Sequence, residues 1–463
     1  MKSISRRQAL IQSAGASSLF FAPKLTAALS QEDSAPHFHI NLFFYGSLDT
    51  SYMFDARPLS HTAASKIQNY NGTDPSIWMG QNDQRALTPG YMDLLLPFKN
   101  EISILNGVHM AVNSDSHDEN LRAMISGAVS GNSLYFANLN RNPNRLPIDA
   151  LNINLSSFSI EGVTDQGSFL NFSTEFAQGL QELLKVSESD SGIAPFQRFI
   201  DERMAALAQK TGMLSKGAER IIKSIPGKNL IKNRILNTDF SNQGEDRFAN
   251  NLKLISQYFI HGISKSALLS ETTFNTDTHD PLSAQNQPQT YLEITKKIHQ
   301  LLTFLKKTPF DEPLGISLFD VTTVSIGTEF NRTNRQLGSP ISETGTDHNT
   351  LSNTLIFAGK GIRGGQVFGE TDLDQINENG DYIHISDAHR IFDGELNKRM
   401  GKPFDFKTAR PVDELPVAYN PDHYLTIGSV LNTVYTLFGV PQDKFVPNVV
   451  NGKNAPILSQ LLS

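Results

Sequence analysis

Apolar positions in this 463-residue chain follow two rhythms. Short dense runs of strand length are HFHINLFFY over 37–45, ISILNGV over 102–108, FDVTTVSI over 319–326 and TLIFAG over 354–359. Between them, apolar residues recur every three or four positions. That spacing predicts helices over 90–98, 288–307 and 424–438, the last ending at Gly439. A further helix is predicted over 118–130, after the capping oxygens of Ser114, Asp115 and Ser116. Within 168–268, FAQGLQELLKV and NNLKLISQYFIHGI have the same spacing, so this stretch reads as a mainly helical insertion or cap. Residues 364–423 are rich in Gly, Asp, Asn and Pro and read as long loops. Strands separated by helices imply an α/β fold, with a mostly parallel central sheet and helices on both faces.

The N-terminus has a different pattern. Arg6 and Arg7 precede a mildly apolar stretch, Ala14 to Ala22, then Lys24 and small residues up to Ser30. A basic start, a short apolar middle and a small-residue end form an export signal. The apolar part is too short to span a bilayer, and no later window has the length of a membrane helix. Ser5 to Leu10 resembles a twin-arginine signal, with Ala9 where a Phe is usual. The expectation is a leader over 1–30 and a mature domain over 31–463. The twin-arginine export machinery would be a partner. The destination would be periplasmic or otherwise extracytoplasmic, with no stable membrane anchor after processing.

Composition narrows the chemistry. There is no cysteine, which removes disulfides, thiolate metal sites and cysteine nucleophiles together. Any metal must be held by His, Asp or Glu, ligands suited to zinc, manganese, iron, magnesium or calcium. A net charge of −7 argues against a nucleic-acid partner, which would call for a basic face.

In sheets of this kind, chemistry gathers beyond the carboxyl ends of the strands, and polar residues there form a pattern. Asp49 lies in GSLDT after the first strand. Asp115, Ser116, His117 and Asp118 follow the second. Asp277, His279 and Asp280 lie in TDTHD. Glu329 follows 319–326, and Asp347 and His348 stand just before 354–359. An isolated Asp in such a loop is usually a turn or cap residue. Together, these five loops offer the carboxylates and imidazoles from which divalent sites are assembled. No G-x-S-x-G elbow supports a serine triad. The GKGIRGG run at 359–365 lacks P-loop spacing and reads as a tight turn.

Four stretches resemble the DUF1501 family of exported proteins, within the alkaline phosphatase-like, or sulfatase-like, superfamily. They are FFYGSLD, TDTHD at 276–280, SIGTEFNRT at 325–333 and GTDHNTLSNTLIFAGKGIRGGQVFG at 345–369. The resemblance implies an alkaline phosphatase-like fold and divalent metal ions of zinc, manganese, magnesium or calcium type. It implies metal ligation by Asp49, Asp277, His279, Glu329 and His348, with Asp347 ligating or orienting His348. It places the nucleophile at Ser116 or His117, and Arg332 against an anionic ester group. Ser47 and Leu48 replace family positions that usually include Gly, Asn331 replaces a family Gly, and the nucleophile helix lacks the motif of phosphatases or sulfatases. The expectation is an exported metal-dependent hydrolase of a small or polymeric phosphate or sulfate ester. The alternative is a non-catalytic exported binding or envelope-assembly protein on the same kind of fold.

Overall fold

The longest apolar run folds into the middle of a sheet. Strand β1 (Phe38–Phe44) is buried along its whole length, and it alternates between two cores. Phe38, Ile40, Leu42 and Phe44 face one and Phe43 the other, the period-two consequence of a strand with both faces covered. The computed structural model describes residues 36–59, 73–110, 114–126, 135–140, 149–153, 169–171, 246–262, 264–274, 276–279, 286–333, 346–371, 399–413, 420–448 and 451–463. The chain divides into two units, Met1–His37 and Phe38–Ser463. The leader read over 1–30 lies outside the described residues, as do Asp280 and residues 172–245 of the middle stretch.

Among the described residues, seven more strands join β1. They are β2 (Ile102–Leu105), β3 (Ala150–Ile153), β4 (Phe169–Asn171), β5 (Ser266–Glu271), β6 (Thr322–Gly327), β7 (Leu355–Gly359) and β8 (Val367–Phe368). Their order across the sheet is β8-β2-β7-β6-β1-β5-β3-β4. Every pairing is parallel except those of β7, which runs antiparallel to β6 and β2. The sheet is therefore mixed and mostly parallel, as the spacing of strands and helices predicts. The middle stretch also supplies β4 and the start of β5, beside the helix its pattern predicts.

Helices cover both faces. On the Ile40 side lie α3 (Arg247–Ile260) and α4 (Gln287–Lys307), packed through residues such as Leu252, Phe259, Ile294 and Leu301. On the Phe43 side lie α1 (His117–Ser126), α2 (Tyr135–Leu139) and α5 (Ile427–Leu437), through Leu121, Phe136 and Leu431. Such burial, at roughly 1.5–3 kcal/mol for each large side chain, holds the layers together. Helix α5 starts on a Thr426 cap and stops before Gly439, whose φ of 65° ends it in the left-handed region.

Two predicted elements differ from the structure in informative ways. Residues 90–98 form a 3-10 helix with Pro97 inside it, which cannot donate to an α-helical ladder. The run 319–326 begins as a helical turn, Leu318–Val321, before turning into β6. Ser317 and Asp320 cause this by capping the turn, with the Ser317 N–H and Oγ both donating to Asp320 Oδ2, at 2.8 and 2.7 Å. No helix among the described residues is long and apolar enough to cross a membrane.

Candidate metal centre

The parallel strands β1, β2, β5 and β6 all point their carboxyl ends toward one edge, and the antiparallel β7 begins there. The loops at that edge assemble the site. Tyr45 and Gly46 leave β1, Asp277 and His279 lie in the segment after β5, Glu329 and Arg332 follow β6, and His348 precedes β7. His117 is the first residue of α1, in the connection after β2. Two local ties set the approach. Arg332 pairs opposite His348 in a short antiparallel ladder. The Thr346 N–H donates to the Thr278 carbonyl at 2.6 Å, drawing the His348 and His279 loops together.

The result is a group of four candidate ligands. One nitrogen or oxygen each from His117, Asp277, His279 and His348 lies within 4.8 Å of all the others. His279 Nε2 is 2.9 Å from His348 Nε2 and 3.4 Å from Asp277 Oδ1. Those spacings match the edges of about 3 to 3.4 Å left by neighbouring ligands about 2.1 Å from one ion. His117 is 21% exposed, His279 39% and Asp277 52%, so the group is open to solvent on one side. The other side is closed by the buried Phe330, whose ring centroid is 4.4 Å from that of His348 and 4.8 Å from that of His117.

Each ring is oriented by a partner. His348 Nδ1 donates to the Asp115 carbonyl at 2.5 Å, so the neutral ring presents the lone pair of Nε2. Burial first, then the Arg332 charge and the neighbouring His117 ring, push His348 down to about 4. His117 Nδ1 lies 2.6 Å from Glu329 Oε1. Arg332 has no exposed surface. Its Nη2 donates to Asp277 Oδ1 at 2.6 Å and to the Gly46 carbonyl at 2.8 Å, and its Nη1 lies 3.3 Å from His279 Nε2. An arginine can only donate, so His279 Nε2 meets it as an acceptor.

The sequence candidates thus separate. His117, Asp277, His279 and His348 come together, with Arg332 and Glu329 touching them. Glu329 has no exposed surface and stands outside the group. Asp347 is a turn residue: its Oδ1 accepts from the His348 N–H at 2.8 Å, and its own N–H donates to Thr333 Oγ1 at 2.7 Å. Ser116 is exposed, one residue ahead of α1, with its carbonyl accepting from Asn120 Nδ2 at 2.9 Å.

Asp49 is not drawn into the group. Gly46 and Ser47 both have positive φ, 111° and 62°, and the chain that follows carries Asp49 into the interior. There it accepts from the N–H of Ser51 at 3.0 Å and from the Ser51 hydroxyl. Burial pushes its carboxyl up, while Arg399 and the Ser51 bonds pull it down. Tyr45 carries no signal in the polar pattern because it ends an apolar strand. Its ring centroid is 5.6 Å from that of His117. Burial, then the carboxylates of Glu329, Asp118 and Asp277, raise its phenol, which stays protonated near neutral pH.

No curated protein sequence matches the chain significantly. Solved structures match at low identity, three of them as follows. One is i-CgsB in complex with k-i-k-neocarrahexaose, at 10% identity and TM-score 0.36, covering 91% of this chain and 75% of that one. Another is the lipoteichoic acid synthase LtaP from Listeria monocytogenes, at 10% identity and TM-score 0.30, covering 72% and 67%. The third is a TAB5 alkaline phosphatase mutant with magnesium in its M3 site, at 12% identity and TM-score 0.30, covering 73% and 95%. The family model for DUF1501, described as protein of unknown function, matches residues 273–408. Three of the four resembling stretches fall inside that range, as do Asp277, His279, Glu329, Arg332, Asp347 and His348. Residues 273–408, the stretch that this family model matches, carry most of the site.

Proposed function

We propose that this protein is a metal-dependent hydrolase of phosphate or sulfate esters, exported by way of its N-terminal leader. The observation that carries the reading is the pair of facing Nε2 atoms of His279 and His348, 2.9 Å apart. One presents a lone pair because its Nδ1 donates to the Asp115 carbonyl. The other accepts from Arg332. Two lone pairs at that separation repel unless a proton or a metal cation lies between them. The donor set, three imidazoles and one carboxylate without thiolate, suits zinc or manganese. A bound divalent ion would polarise an ester oxygen and offset the charge that develops on it.

The chain's own groups would do the rest. His117, His279, His348 and Asp277 would hold the ion. Tyr45 would donate a hydrogen bond from its protonated phenol to an ester oxygen at the open side. Ser116, exposed at the start of α1, is the candidate to attack. Phe330 would exclude water from beneath the rings. Arg332 would brace Asp277 and the Gly46 carbonyl from within, since it has no exposed surface with which to grip a substrate.

That last point favours a second reading, a metal-stabilised binding protein, because the cation expected to clamp an anionic ester is engaged internally. Metal analysis of the purified protein, with a screen of aryl phosphates, aryl sulfates and phosphodiesters, separates the two. Hydrolysis that requires metal and is lost in both His348→Ala and Ser116→Ala supports the enzyme. Stoichiometric metal without turnover supports the binding protein. Absence of metal in protein that remains stable against chelators refutes both.

A further inference from the structure

Three donors converge on Glu329, which has no exposed surface. The Gly46 N–H donates to Oε1 at 2.9 Å and the Thr328 hydroxyl to Oε2 at 2.8 Å. Thr328 Oγ1 itself accepts from the Leu48 N–H at 3.2 Å, which leaves its proton for the carboxylate. The third partner is His117 Nδ1, 2.6 Å from Oε1. A carboxylate in this setting accepts, so Nδ1 must carry the hydrogen. The ring's other nitrogen, Nε2, then carries the lone pair.

We infer that Glu329 is a positioning residue that fixes His117 as the Nδ1–H tautomer and turns Nε2 onto the shared cation, making His117 a ligand and not the attacking group. The inference rests on the metal reading above. The family resemblance would put Glu329 on the metal. The hydrogen bonds put it one step behind, where a carboxylate holds the ring still and makes the ligating nitrogen more basic.

The backbone of Gly46 extends the same device. Its N–H holds Glu329, and its carbonyl accepts from Arg332 Nη2, which also donates to Asp277. The two peptide groups that flank one residue thus brace His117 through Glu329 and Asp277 through Arg332. Glycine is required there: φ is 111°, and a Cβ would come within 2.6 Å of Thr276 Oγ1.

The test uses the full chain, freed of metal with a chelator. Long-range proton–nitrogen NMR reads the tautomer of His117, assigned by the signal lost in His117→Gln. The expected result is hydrogen on Nδ1. Cobalt(II) titration followed by visible absorbance then compares wild type with Glu329→Gln and Glu329→Ala. Gln keeps an acceptor but loses the charge, and should weaken cobalt binding about 10-fold; Ala should weaken it about 100-fold. Stoichiometry should be unchanged in both. Hydrogen on Nε2 in the wild type overturns the inference. So does cobalt affinity within about twofold of wild type in folded Glu329 variants, with the metal reading left standing. Wild type that takes up no cobalt overturns the metal reading and this inference together. If Glu329→Ala does not fold, the wild-type tautomer decides.

Discussion

Among the described residues, two clusters of charged and titratable side chains that reach toward the site edge and the interior are built on opposite principles. One joins Asp55, Arg57, Arg399 and Thr371, all at most 6% exposed. Asp55 Oδ1 accepts from Arg57 Nη1 at 3.0 Å and Thr371 Oγ1 at 2.7 Å, and Oδ2 accepts from Arg399 Nη1 at 3.2 Å. Donors meet acceptors within the protein, and three distant segments are tied. The other is the histidine group, partly exposed, where nitrogen acceptors face one another. Charge alone therefore does not mark a site. What distinguishes the second cluster is lone pairs turned toward a common point that solvent can reach.

Four expectations would break or sharpen that contrast, from the largest effect on folding to the smallest. Asp55→Ala leaves two buried guanidinium groups without their carboxylate. It should cost about 3–5 kcal/mol in denaturant unfolding. A loss below about 1 kcal/mol would mean the cluster is not a strut.

The second concerns acid. His39 is fully buried, with its Nε2 3.0 Å from Ser325 Oγ, and burial pushes it down to about 3. His109, stacked on Tyr424, is pushed down to about 4 by burial, against the opposing pull of the Gly401 carbonyl. Below pH 6.5 the unfolded chain takes up protons that these folded histidines refuse. Stability present above pH 6.5 is therefore lost as pH falls toward 4 and 3. For His39 the loss is roughly 3 kcal/mol between pH 6.5 and 4. Urea midpoints measured across that range should flatten in His39→Gln. An unchanged slope would remove His39 from the account.

Third, Gly46→Ala forces a side chain into a left-handed turn against Thr276, and should cost about 2 kcal/mol. It should also weaken cobalt binding, because the Gly46 backbone braces both sides of the group. A destabilised protein with wild-type cobalt affinity would separate the loop from the site.

Fourth, His348→Ala should change the stability of metal-free protein by less than about 1 kcal/mol, since it removes a partly exposed ring. Yet it should abolish metal uptake, read by elemental analysis. A large stability loss without metal would make the histidine group another strut.

The sequence alone fixed the layers. Dense apolar runs gave β1, β2, β6 and β7, and three-to-four spacing gave α3, α4 and α5, because burial period follows directly from backbone geometry. It also picked out Asp277, His279 and His348, whose loops flank strands. It was silent on the Leu318–Val321 turn, where one capping pair outweighs the apolar run, and on Tyr45, hidden at the end of an apolar strand. It could not sort Asp49 from Asp277, since both are acids following strands. Only the tertiary structure separated them: the positive φ of Gly46 and Ser47 sends Asp49 inward, whereas the Thr278–Thr346 tie and the Arg332–His348 ladder bring the histidines face to face. Periodicity is a local property that a linear pattern records. The direction of a side chain after a turn, and the partner that chooses which ring nitrogen keeps its hydrogen, come from residues hundreds of positions away.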